Sequence, residues 1–296
     1  MNDVFLKKSA AVFAIAIALI LIAVKAHVWH ISGSVSLLSS LVDSIVDSLA
    51  SLINLIAIYH AVKPADHEHR FGHGKIEALA ALGQSIFIFA SACYILKEAI
   101  TRFLHPEPME QTNLVLMATL LSIVLTVVLL VVQKYTIRKT RSIAIEADYA
   151  HYQSDLLINV GILVVVWCSQ YFHSSFLDPI FGGFIALYIS FSAYKVLKRS
   201  LEILMDRELS ETDRQKIVDV ITKHPKVSGY HLLRTRSSGT GEFIQCHLEM
   251  SGDITLSEAH DISHEVEHSI REAFPKADII LHQDPGHLME DHRNSL

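Results

Sequence analysis

An apolar run long enough to cross a lipid bilayer that nevertheless carries two carboxylates can belong to very few folds. Residues 33–59 form such a run, and Leu41-Val-Asp-Ser-Ile-Val-Asp-Ser-Leu-Ala within it holds Asp43 and Asp47 four residues apart. On a helix that spacing puts both acids on one face. Near a bilayer midplane each would cost about 2.5–3.5 kcal/mol on insertion scales, so the pair requires a compensating partner. A second run, 143–171, supplies one, with His151 and Asp155 again at i and i+4. Two helices then offer Asp43, Asp47, His151 and Asp155, the number and type of side chain that make a tetrahedral site for a divalent metal.

The remainder of the chain fits a membrane protein with a polar tail. Mean hydropathy is +0.35 and only 19% of residues are charged, outside the habit of a soluble domain. Further apolar runs at 9–24, 76–100, 113–133 and 179–196 bring the expected count to six transmembrane helices. An even count leaves both termini on one side. Lys7 and Lys8, then Lys63, Arg70 and Lys75, then Lys134, Arg138, Lys139 and Arg141, then Lys195, Lys198 and Arg199 all flank one side, which the positive-inside rule makes cytoplasmic. Only the second and fifth runs hold ionisable residues deep inside, and Asn54 and Asn159 continue the same faces about two turns on. The net charge of −6 gives no footing for nucleic acid. Cys93, Cys168 and Cys246 lack any CxxC spacing, so neither disulfides nor a thiolate metal site is expected.

Charge becomes dense after Asp206, which sets the expected domains at 1–206, the transport unit, and 207–296, a cytoplasmic metal-binding unit. The tail reads as a small α+β domain of order αββαβ: helix 211–223 with Ser210 as a possible cap, strand 227–236, turn 237–241, strand 242–250, amphipathic helix 256–274 and strand 277–283. One sheet with its helices on one face is the simplest packing. Along the second strand, Ile244, Cys246, Leu248 and Met250 point one way and His247 the other.

The chemistry of the membrane ligands suggests a transport cycle. Carboxylate and imidazole ligands suit zinc, and also Fe(II), Mn(II), Co(II) and Cd(II), better than calcium or magnesium. Ligands must be deprotonated to coordinate, so metal entry expels any protons held there. A site of this kind opening alternately to either side would exchange metal for protons.

Four motifs in order, Asp43-xxx-Asp47, Pro64-Ala-Asp-His-Glu-His-Arg-Phe-Gly-His-Gly-Lys75, His151-xxx-Asp155 and His282-Gln-Asp-Pro285, resemble the cation diffusion facilitator family over nearly the whole chain. The likeness is greatest to its bacterial zinc and ferrous-iron efflux members. It implies a homodimeric exporter of the bacterial inner membrane that exchanges zinc for protons, with a cytoplasmic domain of metallochaperone-like fold holding further zinc. The resemblance assigns transport ligands to Asp43, Asp47, His151 and Asp155, and a loop metal site to Asp66, His69 and His73. It assigns cytoplasmic metal sites to His231, His247, His260, His282 and Asp284, and an interdomain salt bridge to Lys75 and Asp206. Leu232 departs from the family, whose members often carry Asp there. The roles of His67 and Glu68 are left open.

Three other readings compete. His264-Glu-Val-Glu-His268 satisfies the HExxH pattern of zinc proteases, with Glu265 as base, but the pattern is short and lies in a domain of about ninety residues; no enzyme is expected. A passive divalent-cation channel needs weak, multiple-site binding, unlike a closed four-ligand site. A sensor that never transports would leave the buried site without a purpose.

Overall fold

The computed structural model describes residues 3–32, 35–105, 113–172 and 177–286. The chain divides into two compact units, Met1–Leu201 and Glu202–Leu296.

The first unit is built from six long helices: α1 (Asp3–Ser32), α2 (Val35–Ala61), α3 (Lys75–Leu104), α4 (Asn113–Thr140), α5 (Ile143–Phe172) and α6 (Leu177–Leu204). At 1.5 Å per residue even the shortest, the 27 residues of α2, extends about 40 Å. All but α5 are long and apolar enough to cross a membrane. Among the described residues, then, five spans qualify where six were expected, and α5 matches them in length. It carries Glu146, Asp148, His151 and Asp155 on its first half, and these polar groups are turned to its neighbours. The helices approach closely because α1 presents small residues: Ala10, Ala11, Ala14 and Ala18 are all buried, which lets α1 lie against α2 and α4. Ala14, Ile17 and Leu21 of α1 pack on Leu129 and Leu130 of α4 and on Tyr152 of α5. Outward faces keep large apolar side chains such as Leu19, Phe89, Val124 and Phe184 exposed, as helices facing lipid would.

The first helix differs from its sequence reading. Lys25, just past the 9–24 run, lies inside α1, and Lys7, which flanks that run, is buried. Lys7 Nζ meets Glu77 Oε1 of α3 at 2.7 Å, and Ser142 Oγ donates to Glu77 Oε2 at 2.6 Å. This buried ion pair ties the starts of α1, α3 and α5 together.

The second unit has the order α7 (Glu211–Lys223), β1 (Gly229–Ser237), β2 (Glu242–Met250), α8 (Leu256–Ala273) and β3 (Asp278–Pro285), the αββαβ sequence expected. The sheet runs β1-β2-β3, with β1 antiparallel and β3 parallel to β2. Ser210 caps α7 by accepting from the Asp213 N–H, and Thr255 with Glu258 forms a capping box on α8. Ile217 and Ile221 of α7 and Ile262, Val266 and Ile270 of α8 cover one sheet face, meeting Ile244, Cys246, Leu248 and Met250. Burial there pushes the Cys246 thiol up to about 12, consistent with its reading as a core residue. Among the described residues no helix of this unit covers the opposite sheet face, and His247 stands on it.

Candidate metal centres

Helices α2 and α5 bring Asp47, His151 and Asp155 together, one ligand atom from each lying within 4.8 Å of the others. The His151 Nε2 is 3.0 Å from Asp47 Oδ1 and 3.8 Å from Asp155 Oδ2. Metal bonds of about 2.0–2.1 Å in tetrahedral geometry put neighbouring ligand atoms about 3.4 Å apart, a spacing that the two His151 contacts bracket. His151 is buried and Asp155 half-buried. Asp43 lies one helical turn before Asp47 and is exposed, outside this three-ligand group. Three of the four expected ligands are thus assembled. Asn159 turns back to the Asp155 carbonyl at 2.8 Å rather than joining them.

Two features around this site were not read from the sequence. The Lys25 ammonium donates to Ser40 O at 3.2 Å and Ser44 Oγ at 2.7 Å, within electrostatic reach of Asp47, Asp155 and Asp43. One turn before His151, the buried Asp148 accepts hydrogen bonds from Ser51, Asn54, Gln84 and Gln133. Their signal in the sequence was faint: a lone Lys near a span's end, and neutral amides in apolar runs.

The loop between α2 and α3 gathers Asp66, His69 and His73. Asp66 Oδ1 lies 3.6 Å from His69 Nδ1, Oδ2 lies 3.4 Å from His73 Nε2, and the two rings are 4.5 Å apart. The loop is shaped by Asp66 itself, which accepts the backbone N–H groups of His69 at 2.7 Å and Glu68 at 3.0 Å. Those bonds, the one from His69 foremost, hold its carboxyl below the usual carboxylate range, keeping it ready as a ligand. Gly72 takes φ +78°, a left-handed turn that swings His73 back toward Asp66. His67 Nδ1 instead meets Arg70 Nη2 at 3.3 Å.

The third group lies on the uncovered sheet face. Strand register places His231 opposite His247 and His247 opposite His282, so three imidazoles cross the sheet in a row, rings 4.9 and 4.6 Å apart. Asp284, two residues beyond His282 on the same face, reaches all three: His247 Nδ1 at 2.8 Å, His231 Nε2 at 3.2 Å and His282 Nε2 at 3.2 Å. Partial burial works against its charge, but the His247 hydrogen bond and the three imidazoles outweigh it and hold the Asp284 carboxyl below its ordinary value. Such a donor set, imidazole nitrogens around an ionised carboxylate, suits zinc. Leu232 occupies a β-bulge at φ +50°. The carboxylate beside His231 comes instead from Glu249, 3.3 Å from Nδ1 but off the hydrogen-bonding direction. His260 is not brought to this group; it is exposed on α8 with its ring 4.5 Å from His264.

The HExxH residues are exposed on α8. The Glu265 carboxylate is bound by His224 Nε2 at 2.9 Å, which lowers its basicity, and His264 and His268 face Glu267 and Glu272. Lys75 opens α3, and Asp206 follows α6 at φ +56° and accepts from Arg236 Nη1 at 3.0 Å.

Comparison with known proteins agrees with this architecture. The family model of the cation efflux transmembrane domain matches residues 11–205, and that of the cation efflux protein cytoplasmic domain matches 209–286. The cation-efflux pump FieF of Salmonella arizonae is 43% identical over 288 residues, covering 96% of this chain and 95% of the relative. That of Citrobacter koseri is 42% identical over the same length. Among solved structures, a metal-bound C-terminal domain of the CzcD transporter from Thermotoga maritima is 23% identical, covers 26% of this chain and 94% of its own, and has a TM-score of 0.25. With the transmembrane model spanning most of the helical unit and FieF pumps aligned almost end to end, the chain belongs to the cation efflux, or cation diffusion facilitator, family, and is of the FieF type.

Proposed function

We propose that this divalent-cation efflux protein exports zinc, with Fe(II) and Cd(II) as alternative cargo, by exchanging metal for protons at Asp47, His151 and Asp155. The observation that carries the reading is the approach of His151 Nε2 to both carboxylates at distances bracketing tetrahedral ligand spacing. Asp43, on the same face of α2 one turn before Asp47, would complete the set when metal arrives. Deprotonated ligands are needed for coordination, so cargo and protons compete for the same atoms. Binding metal on one side and protons on the other then couples the two fluxes, whereas a channel would need weaker, serial sites.

Under this reading the protein sits in the bacterial inner membrane with both termini cytoplasmic, acts as a homodimer, and divides near residue 206. His231, His247, His282 and Asp284 would hold zinc that fixes the arrangement of two sheets, His260 joining from α8 after rearrangement. Asp66, His69 and His73 would hold a further ion, and Lys75 with Asp206 would link the two units. The bonded state of Glu265 favours a carrier over a hydrolase. Zinc titration of the whole chain tests the assignment. Asp155→Asn should lose one class of site while retaining binding at the cytoplasmic ligands, and retention of every site would refute it.

A further inference from the structure

We propose that a single water molecule occupies a small cavity beside Asp148, bridging α2 to α4 and completing a polar hub that sets how α2 meets α5. The cavity, about 10 Å³, is lined by Ala10, Ala11, Ser51, Asn54, Gln133 and Asp148 among others, a volume that matches one water.

The hub dictates what the cavity must contain. Asp148 is 4% exposed. Its Oδ1 accepts from Ser51 Oγ at 3.0 Å and from Asn54 Nδ2 and Gln84 Nε2 at 3.4 Å each, and its Oδ2 accepts from Gln133 Nε2 at 2.7 Å. All three amides turn their NH₂ groups to the carboxylate, and while the Gln84 oxygen accepts from Asn54 Nδ2, those of Asn54 and Gln133 are left without a donor. Asn54 Oδ1 and Gln133 Oε1 are buried and have no hydrogen-bond partner, in side chains of residues only 3% and 1% exposed. Flipping either amide would set an oxygen against the carboxylate, so the orientation is fixed by charge. A buried carbonyl left bare is costly, because it has given up its hydrogen bonds to water without replacing them. The alanines and Ile58 in the wall have no side-chain donor, and Ser51 is committed to Asp148, with Tyr152 OH 2.9 Å from its Oγ. Water has two donors for two acceptors. A metal cation would satisfy the same oxygens, but four donors already compensate the carboxylate.

The position gives the water a consequence, which rests on the metal-site reading above. Ser51 lies one turn after Asp47 on α2, and Asp148 lies one turn before His151 on α5. The hub therefore pins the two helices that present the ligands, α4 joins it directly through the Gln133 bond to Asp148, and the water adds a second link between α2 and α4.

A map of the full chain fine enough to show ordered water decides the first part. Density at hydrogen-bonding distance from Asn54 Oδ1 and Gln133 Oε1 is expected, and an empty cavity, or the short contacts of a metal ion, would overturn the proposal. Zinc titration of Gln133→Met decides the second. The variant should bind zinc about tenfold more weakly at the membrane site with the cytoplasmic sites unchanged. Unaltered membrane-site affinity would overturn the clamp. Should that variant fail to fold, the wild-type density still settles the water. If the native chain shows no membrane site at all, the transport reading fails while the density test stands.

Discussion

Removing the Glu77 carboxylate should destabilise the helical unit far more than an ordinary surface change. Glu77 is wholly buried and its partner Lys7 has a side chain only 6% exposed, at 2.7 Å. Glu77→Leu strands the Lys7 ammonium, at a cost of about 3–5 kcal/mol, and deprives the Ser142 hydroxyl of its acceptor, adding about 1 kcal/mol. At 1.4 kcal/mol per tenfold, the folding equilibrium should shift by more than about a hundredfold. Lys7→Met combined with Glu77→Leu removes both charges and should recover most of that loss, since apolar replacement of a buried pair is often neutral. The assay is equilibrium unfolding in mixed micelles followed by tryptophan emission. The chain has only two tryptophans, Trp29 on α1 and Trp167 on α5, so the signal follows this unit alone. Additive losses in the double variant, or a single-variant cost under about 1 kcal/mol, would refute the claim that the pair acts as a buried unit.

Other consequences follow from the same geometry. Lys25→Met removes a cation beside Asp47 and Asp155, and should tighten zinc binding at the membrane site; weaker binding in titration would show that Lys25 supports the ligands instead. Thr255→Ala breaks the α8 capping box and should cost about 1 kcal/mol, read by chemical denaturation with circular dichroism. The Glu258 half of that box depends on pH. Its carboxyl is held low by the Thr255 backbone N–H and hydroxyl, so its contribution is present above the ordinary glutamate value near 4.5 and lost as pH falls through the lowered one. A Glu258→Gln variant should flatten that acid limb. His247→Ala with His282→Ala should abolish zinc binding at the sheet face, and a dimer that no longer responds to chelators should result; an unchanged response to chelation, by analytical ultracentrifugation, would exclude these residues from dimer control.

Much of this architecture was legible because apolar length and periodicity are local properties. The helix boundaries of α7 and α8 and the alternation Ile244, Cys246, His247, Leu248 follow from spacing alone, and the i, i+4 pairs placed Asp47, His151 and Asp155 on facing helices. What escaped depends on tertiary pairing. Lys7 and Lys25 carry charge, and a charge near a span's end reads as a boundary until a buried Glu77 or a Ser44 hydroxyl accounts for it. Asp148 was passed over because its partners, Ser51, Asn54, Gln84 and Gln133, are neutral residues scattered over three helices. Glu249 became a neighbour of His231 only through the bulge at Leu232, which no period reveals. Asp43 and His260 show the converse: a motif places them on the right element, while the side chain stands outside the group in this conformation.

The most direct test of the account follows zinc and protons together. The native chain and Asp47→Ala should be reconstituted into vesicles and zinc uptake recorded beside lumenal pH, with and without an imposed pH gradient. Zinc movement accompanied by opposite proton movement, accelerated by the gradient and absent in the variant, is expected. Zinc flux without any proton movement, or undiminished flux through Asp47→Ala, would contradict it.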